Sequence, residues 1–201
     1  MSRLLLLLSI LIFTACDGKI TTNSAVDSIM GDPQGGRNYT FTFVDDKLRD
    51  FNTSSQTQTV NSLVHYIDDR HIDIEEVIYN KELQTKETSV RHFLYDTKGK
   101  LISVSVLDPE TQKYIIFDYL YNKKGFLTRR TSNDHSADLT YKLDRNGKIT
   151  KETYLDKSGF NIFIYEKDKI KAIKFHDDKN IYYGSMTFKQ AISLETLLML
   201  E

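Results

Sequence analysis

Three stretches of the chain align without gaps: Tyr95-Asp-Thr-Lys-Gly99-Lys-Leu101, Tyr121-Asn-Lys-Lys-Gly125-Phe-Leu127 and Leu143-Asp-Arg-Asn-Gly147-Lys-Ile149. Each sets an apolar anchor, three polar residues, a glycine at plus four and an aliphatic residue at plus six. Looser copies without the glycine run from Phe43 to Leu48, from Tyr66 to Ile72 and from Tyr165 to Ile170. The six anchors stand at 43, 66, 95, 121, 143 and 165, in steps of 22 to 29 residues. A step near 22 holds two strands of ordinary length and two turns, which makes each unit a β-hairpin.

Turn chemistry agrees. Glycine takes positive φ without a Cβ clash, and Asp or Asn before it bonds the turn backbone; Gly99, Gly125 and Gly147 are therefore turn glycines. The copies carrying Asp45-Asp46 and Lys167-Asp168 reach their aliphatic residue one position sooner, which predicts tighter turns. Gly159 and the stretch 133–136 mark turns at the other ends of the hairpins. Ile102, Val104 and Val106 alternate with Leu101, Ser103 and Ser105, a period of two that speaks for strands over helices.

Two residues before the anchors stand Phe41, Val64, Phe93, Tyr119, Tyr141 and Phe163. Strand residues two apart share a face, so anchors and these partners build one stripe, in which Phe41, Phe43, Phe93, Tyr95, Tyr119, Tyr121, Tyr141, Phe163 and Tyr165 are nine aromatic members beside Tyr66. Such a stripe is the core of the sheet, or else the lining of an apolar ligand site. The opposite face is expected to be polar, with Thr128, Arg129 and Arg130, then Thr150 to Thr153, then Lys171 and Lys174. Residues 17–38 have little apolar periodicity and read as a flexible tether, and 52–59 (NTSSQTQT) read as a long loop or edge segment. Residues 191–201 read as a short terminal helix. The expected fold is all-β: an antiparallel meander of hairpins over 39–190, forming one twisted or curled sheet whose closure the sequence leaves open, with a short C-terminal helix.

At the N-terminus, Arg3 precedes an apolar run from Leu4 to Phe13, then Thr14, Ala15 and Cys16. About ten apolar residues are too few to span a bilayer, which takes roughly 20, so 1–15 read as a secretory signal. The lone cysteine after Phe-Thr-Ala resembles the lipobox of bacterial lipoproteins, with Phe13 in place of the commoner leucine. The resemblance implies cleavage before Cys16, acylation of Cys16, and a protein anchored in the cell envelope, in the inner or outer membrane, facing periplasm or cell surface. Asp17 resembles the inner-membrane retention signal of enterobacterial lipoproteins, a rule that varies between bacteria. With no second cysteine, the chain has neither an intramolecular disulfide nor a thiolate metal site.

The run from Phe93 to Phe175 resembles the YD or Rhs-type hairpin repeats of bacterial surface and toxin proteins, whose units read Tyr-Asp, two residues, Gly, one residue, Leu. Tyr95 to Leu101 matches fully, Tyr121-Asn122 departs at one letter, Leu143 at the anchor, and Tyr165-Glu166 loses the glycine. The resemblance implies the hairpin unit and no activity.

Composition narrows the function. Among 201 residues, 27 Lys and Arg stand against 28 Asp and Glu, which leaves no warrant for nucleic-acid binding, and a mean hydropathy of -0.42 excludes a multispanning membrane protein. His65, His71, His92, His135 and His176 lack metal-site spacing, and no HExxH, GxSxG, P-loop or GxGxxG occurs. The acidic pairs Asp45-Asp46, Asp68-Asp69 and Asp177-Asp178 fall short of a calcium loop. The expectation is a noncatalytic envelope lipoprotein without cofactor or metal, presenting a sheet to a protein partner, with an immunity or antitoxin role as one subclass. The alternative is a carrier or acceptor of lipid or another small apolar ligand, with the aromatic stripe lining a half-open β-barrel and the C-terminal helix as its lid. A filled aromatic face favours the first reading; an apolar cavity of several hundred Å³ favours the second.

Overall fold

The computed structural model describes residues 20–29, 37–45, 47–108, 111–135, 138–156 and 158–200. Fourteen strands follow one another: β1 Ile20–Ile29, β2 Arg37–Val44, β3 Lys47–Ser54, β4 Gln58–Tyr66, β5 His71–Asn80, β6 Thr85–Tyr95, β7 Leu101–Leu107, β8 Tyr114–Tyr121, β9 Leu127–Ser132, β10 Leu139–Leu143, β11 Ile149–Tyr154, β12 Gly159–Glu166, β13 Lys169–Asp177 and β14 Tyr182–Ile192. One helix, α1 Leu194–Leu200, ends the chain. Every strand from β2 to β14 pairs antiparallel with the next, as the hairpin repeat predicts. The curl is complete: β1 pairs with β2 and also with β14, so the ladder closes into a barrel.

The repeat places all six of its turns at one end, hereafter the turn rim. In the glycine copies the first turn side chain accepts two backbone N–H groups: Asp96 from Lys98 and Lys100 at 2.8 and 2.9 Å, Asn122 from Lys124 and Phe126 at 3.0 and 3.1 Å, Asp144 from Asn146 and Lys148 at 2.8 and 2.9 Å. Gly99, Gly125 and Gly147 sit at φ 74°, 82° and 85°. The tighter turns have Asp45 at φ 50° and Lys167 at φ 58°.

A bulge accompanies the turn. The register shifts by one residue at Phe43, Tyr95, Tyr121, Leu143 and Tyr165, so Tyr95 faces Leu101 while Leu94 already faces Ser103. An extra residue flips the parity of everything after it. Leu101 and Val104 are both buried, although strict alternation puts them on opposite faces. The inward position three residues after the aliphatic is Phe51, Val104 or Ile173 in some units, but Arg130 and Glu152 in others. The expectation that Arg130 and Glu152 lie on the polar outer face is therefore corrected. Glu152 is 3% exposed.

Two polar segments are also corrected. Residues 20–29 form β1 inside the stretch read as a tether, because backbone pairing on both sides replaces the missing apolar periodicity. The stretch 52–59 divides between β3 and β4 around a tight turn, in which Ser55 N–H donates to the Gln58 carbonyl at 2.8 Å. Residues 1–15, read as a secretory signal, together with Cys16 and Asp46 lie outside the described residues.

The core is the barrel interior. Phe41, Phe93, Tyr95, Tyr119, Tyr141 and Phe163 are buried, and Phe43, Tyr121 and Tyr165 pack against them, so these nine lie on one side, while Tyr66 is 40% exposed. Leu197, Leu198 and Met199 of α1 join that core. Ser193 caps the helix, its hydroxyl accepting Thr196 N–H at 3.0 Å. At the other helix end, Arg91 donates to the Met199 carbonyl at 3.0 Å and to Glu76 at 2.8 Å. A cation at a helix C-terminus satisfies an orphan carbonyl and complements the dipole.

Candidate functional site

The stripe is filled. Its residues meet α1 and one another, and three hydroxyls lock successive repeats: Tyr66 donates to the Leu48 carbonyl at 3.0 Å, Tyr121 donates to that of Leu101 at 2.7 Å, and Tyr165 is hydrogen-bonded to the Ile149 backbone. The lysine before each of those aliphatics, Lys47, Lys100 or Lys148, lies over the same tyrosine ring at 5.1 to 5.5 Å. Burial, reinforced by Asp96, pushes the Tyr121 hydroxyl up to about 12. Burial and Asp144 do the same for Tyr165, also to about 12, against the Ile149 backbone hydrogen bond that pulls it down.

Beside α1 a cavity of about 310 Å³ remains. Its walls are apolar at Phe163, Phe175, Met186 and Leu200, and polar at Arg130, Glu152 and Asn161. Asn161 donates its amide N–H to Glu152 at 2.8 Å. Of the nine aromatic stripe residues, only Phe163 lines this space.

The larger hollow is elsewhere. A cleft of about 730 Å³ opens at the rim opposite the turns, lined by Ile78, Val90, Val106, Leu107, Tyr114 and Ile115 among others. It exists because neighbouring hairpins differ in length. β6 pairs with β5 along its whole course, from Thr85 to Leu94, yet with β7 only from Arg91 to Tyr95. From Thr85 to Val90, β5 is its only strand neighbour among the described residues. Beyond the gap, β7 stays paired with β8 out to Tyr114, and on the far side of β8 Asn133 prolongs the β9 ladder: its side chain accepts Ile116 N–H at 3.1 Å and donates to the Tyr114 carbonyl at 3.0 Å. Val90, Leu107 and Tyr114 are 37%, 37% and 51% exposed. The sequence reading missed this cleft: unequal strand lengths on β6 and β7 are its only trace there.

Four histidines meet carboxylates across short distances: His65 with Glu75, His71 with Asp68, His92 with Asp73 and His135 with Asp138. His176 stacks on Phe160 at 4.9 Å. Among the described residues no three His, Cys, Asp or Glu side chains gather as a metal set. Asp68 serves its own turn, accepting Arg70 N–H, a bond that with His71 holds its carboxyl below the usual range. Asp177 accepts Lys179 and Ile181 N–H groups, and Asn180, at φ 65°, takes the place glycine holds elsewhere. That is a fourth copy of the turn, at the opposite rim, without the glycine that reveals the others. Asp138, buried under Arg129 and His135, also has its carboxyl held low, first by Ser132 N–H.

No family model matches the chain, and no curated protein is similar to it.

Proposed function

We propose that the protein is a noncatalytic lipoprotein of the bacterial envelope, anchored through acylated Cys16, that binds an extended segment of a protein partner along β6. The single observation that carries this is the open edge from Thr85 to Val90 beside the apolar cleft. Unpaired strand N–H and C=O groups are a template for another strand, and alternate side chains of the guest then fall into adjoining pockets. Immunity or antitoxin activity, blocking a toxin in the envelope, is one role such a surface suits; that step is analogy. The Phe, Tyr, Leu and Ile side chains that fill most of the interior support a barrel lying beside a membrane, since a barrel within one has a polar interior.

The test is affinity capture from detergent-solubilised envelope with the full protein and with Val90→Lys/Tyr114→Glu, two exposed positions in the cleft. Wild type recovers a specific partner that the variant loses. Identical recovery by both proteins refutes the cleft as the site. The carrier reading is favoured by the 310 Å³ cavity alone, which stands at the lower end of ligand pockets, roughly 300 to 1,000 Å³. Lipid copurifying in native mass spectrometry, and lost on Met186→Trp, would favour it.

A further inference from the structure

We propose that the turn rim is a membrane-facing surface that rests on anionic phospholipid headgroups, holding the β6 cleft away from the bilayer. This rests on the lipid anchor of the reading above and adds an orientation to it. Two independent observations converge on it.

The first is where the N-terminal strand begins. Ile20 pairs with Val44, the last residue of β2 before the Asp45 turn, whereas Ile29 pairs with Gly184 near the opposite rim. The chain therefore enters the barrel at the turn rim. Four residue steps separate Cys16 from Ile20. Fully extended they reach at most roughly 14 Å. An acyl group on Cys16 thus keeps this rim close to the headgroups, and the far rim out of their reach.

The second is the charge along β6 to β11. The three turns joining these strands carry Lys98, Lys100, Lys123, Lys124, Arg145 and Lys148 against Asp96 and Asp144. Both aspartates are turned into their own backbone as acceptors. Lys98, Lys123, Lys124 and Arg145 are exposed. At the other end of the same strands, 108–113 and 133–138 reverse the sign, with Lys113 against Asp108, Glu110 and Asp134, while Asp138 is buried against Arg129. A basic cluster of this size is attracted to an anionic bilayer within about one Debye length, roughly 8 to 10 Å, and the acidic end is repelled. The rim also presents Ile67, 61% exposed, at the turn between β4 and β5. The other half of the rim, with Asp45, Asp68 and Asp69, is acidic, so contact is made by the β6 to β11 arc.

The full acylated protein is reconstituted in vesicles of phosphatidylethanolamine with and without one quarter phosphatidylglycerol, and lysine labelling is read by mass spectrometry, together with the intact mass. With phosphatidylglycerol, Lys98, Lys123 and Lys124 label several-fold more slowly than without it, while Lys81, Lys113 and Lys179 at the far rim are unchanged. In Lys123→Glu/Lys124→Glu/Arg145→Glu, protection of Lys98 is lost, since each cation contributes roughly fivefold to partition. Equal labelling of both rims, protection of the far rim, or protection indifferent to phosphatidylglycerol or to the triple substitution overturns the orientation. The two readings fail separately: an acylated mass with both rims labelled alike sinks the orientation and leaves the anchor, whereas an unacylated mass with a protected basic arc sinks the anchor and leaves the orientation.

Discussion

Gly99, Gly147 and Asn180 occupy equivalent turn positions, all with positive φ, yet they differ in what surrounds them. A Cβ on Gly99 would meet nothing within 4 Å, so only backbone strain opposes substitution there. A Cβ on Gly147 would run into the Phe126 ring. Gly99→Val should therefore lower stability by about 1 to 2 kcal/mol, and Gly147→Val by more, because strain and collision add. Gly99→Asn should cost little, because Asn180 already holds φ 65° in the same bonded turn, and asparagine tolerates the left-handed region. Thermal melting of the three variants orders them; a Gly99→Asn as harmful as Gly99→Val would refute this account. The glycines were legible because spacing exposes them. Arg130 and Glu152 were not, because a bulge adds one residue to a strand without leaving a letter that announces it, and every face assigned beyond it inverts.

Helix α1 holds only seven residues, too few to be stable by itself in water. It persists because Leu197, Leu198 and Met199 are buried against the strand interior and because both ends are tied, by Ser193 and by Arg91. Removing Arg91 leaves Glu76 nearly buried without its cation and the Met199 carbonyl without that donor. Arg91→Ala should cost about 3 kcal/mol, whereas Arg91→Met/Glu76→Leu, which removes both charges and keeps the volume, should recover most of it. Urea unfolding measures the difference, and a double substitution as damaging as the single one counts against the pairing. The helix itself was readable from its leucines. Its destination was not: nothing in 191–201 says that the apolar face enters the barrel, rather than packing outside it.

Across the molecule, the tyrosine locks between Leu48 and Tyr66, Leu101 and Tyr121, and Ile149 and Tyr165 bind one hairpin to the next with the same three parts. Folding raises the hydroxyls of Tyr121 and Tyr165 from about 10 to about 12, so the folded state favours the neutral form. Their contribution is complete below pH 10 and is lost as pH rises toward 12, where the unfolded chain releases protons that the barrel retains. The melting temperature should fall over that window, with a late phase of tyrosinate absorbance accompanying loss of structure. A single early phase at the pH of free tyrosine, before any unfolding, would show that these rings are accessible. The meander of hairpins follows from the repeat alone. Closure does not, because β1 is polar and its second partner lies at the other end of the chain.

That last pairing has a temporal consequence. Ala25 to Ile29 need Phe188 to Gly184, which are synthesised and, in an exported chain, cross the membrane only after the whole run of strands between them. Until they arrive, β1 carries a bare edge and α1 has no enclosure to enter. Ring closure thus waits on the delivery of β14, and the interval before it is when an escorting chaperone has most to shield.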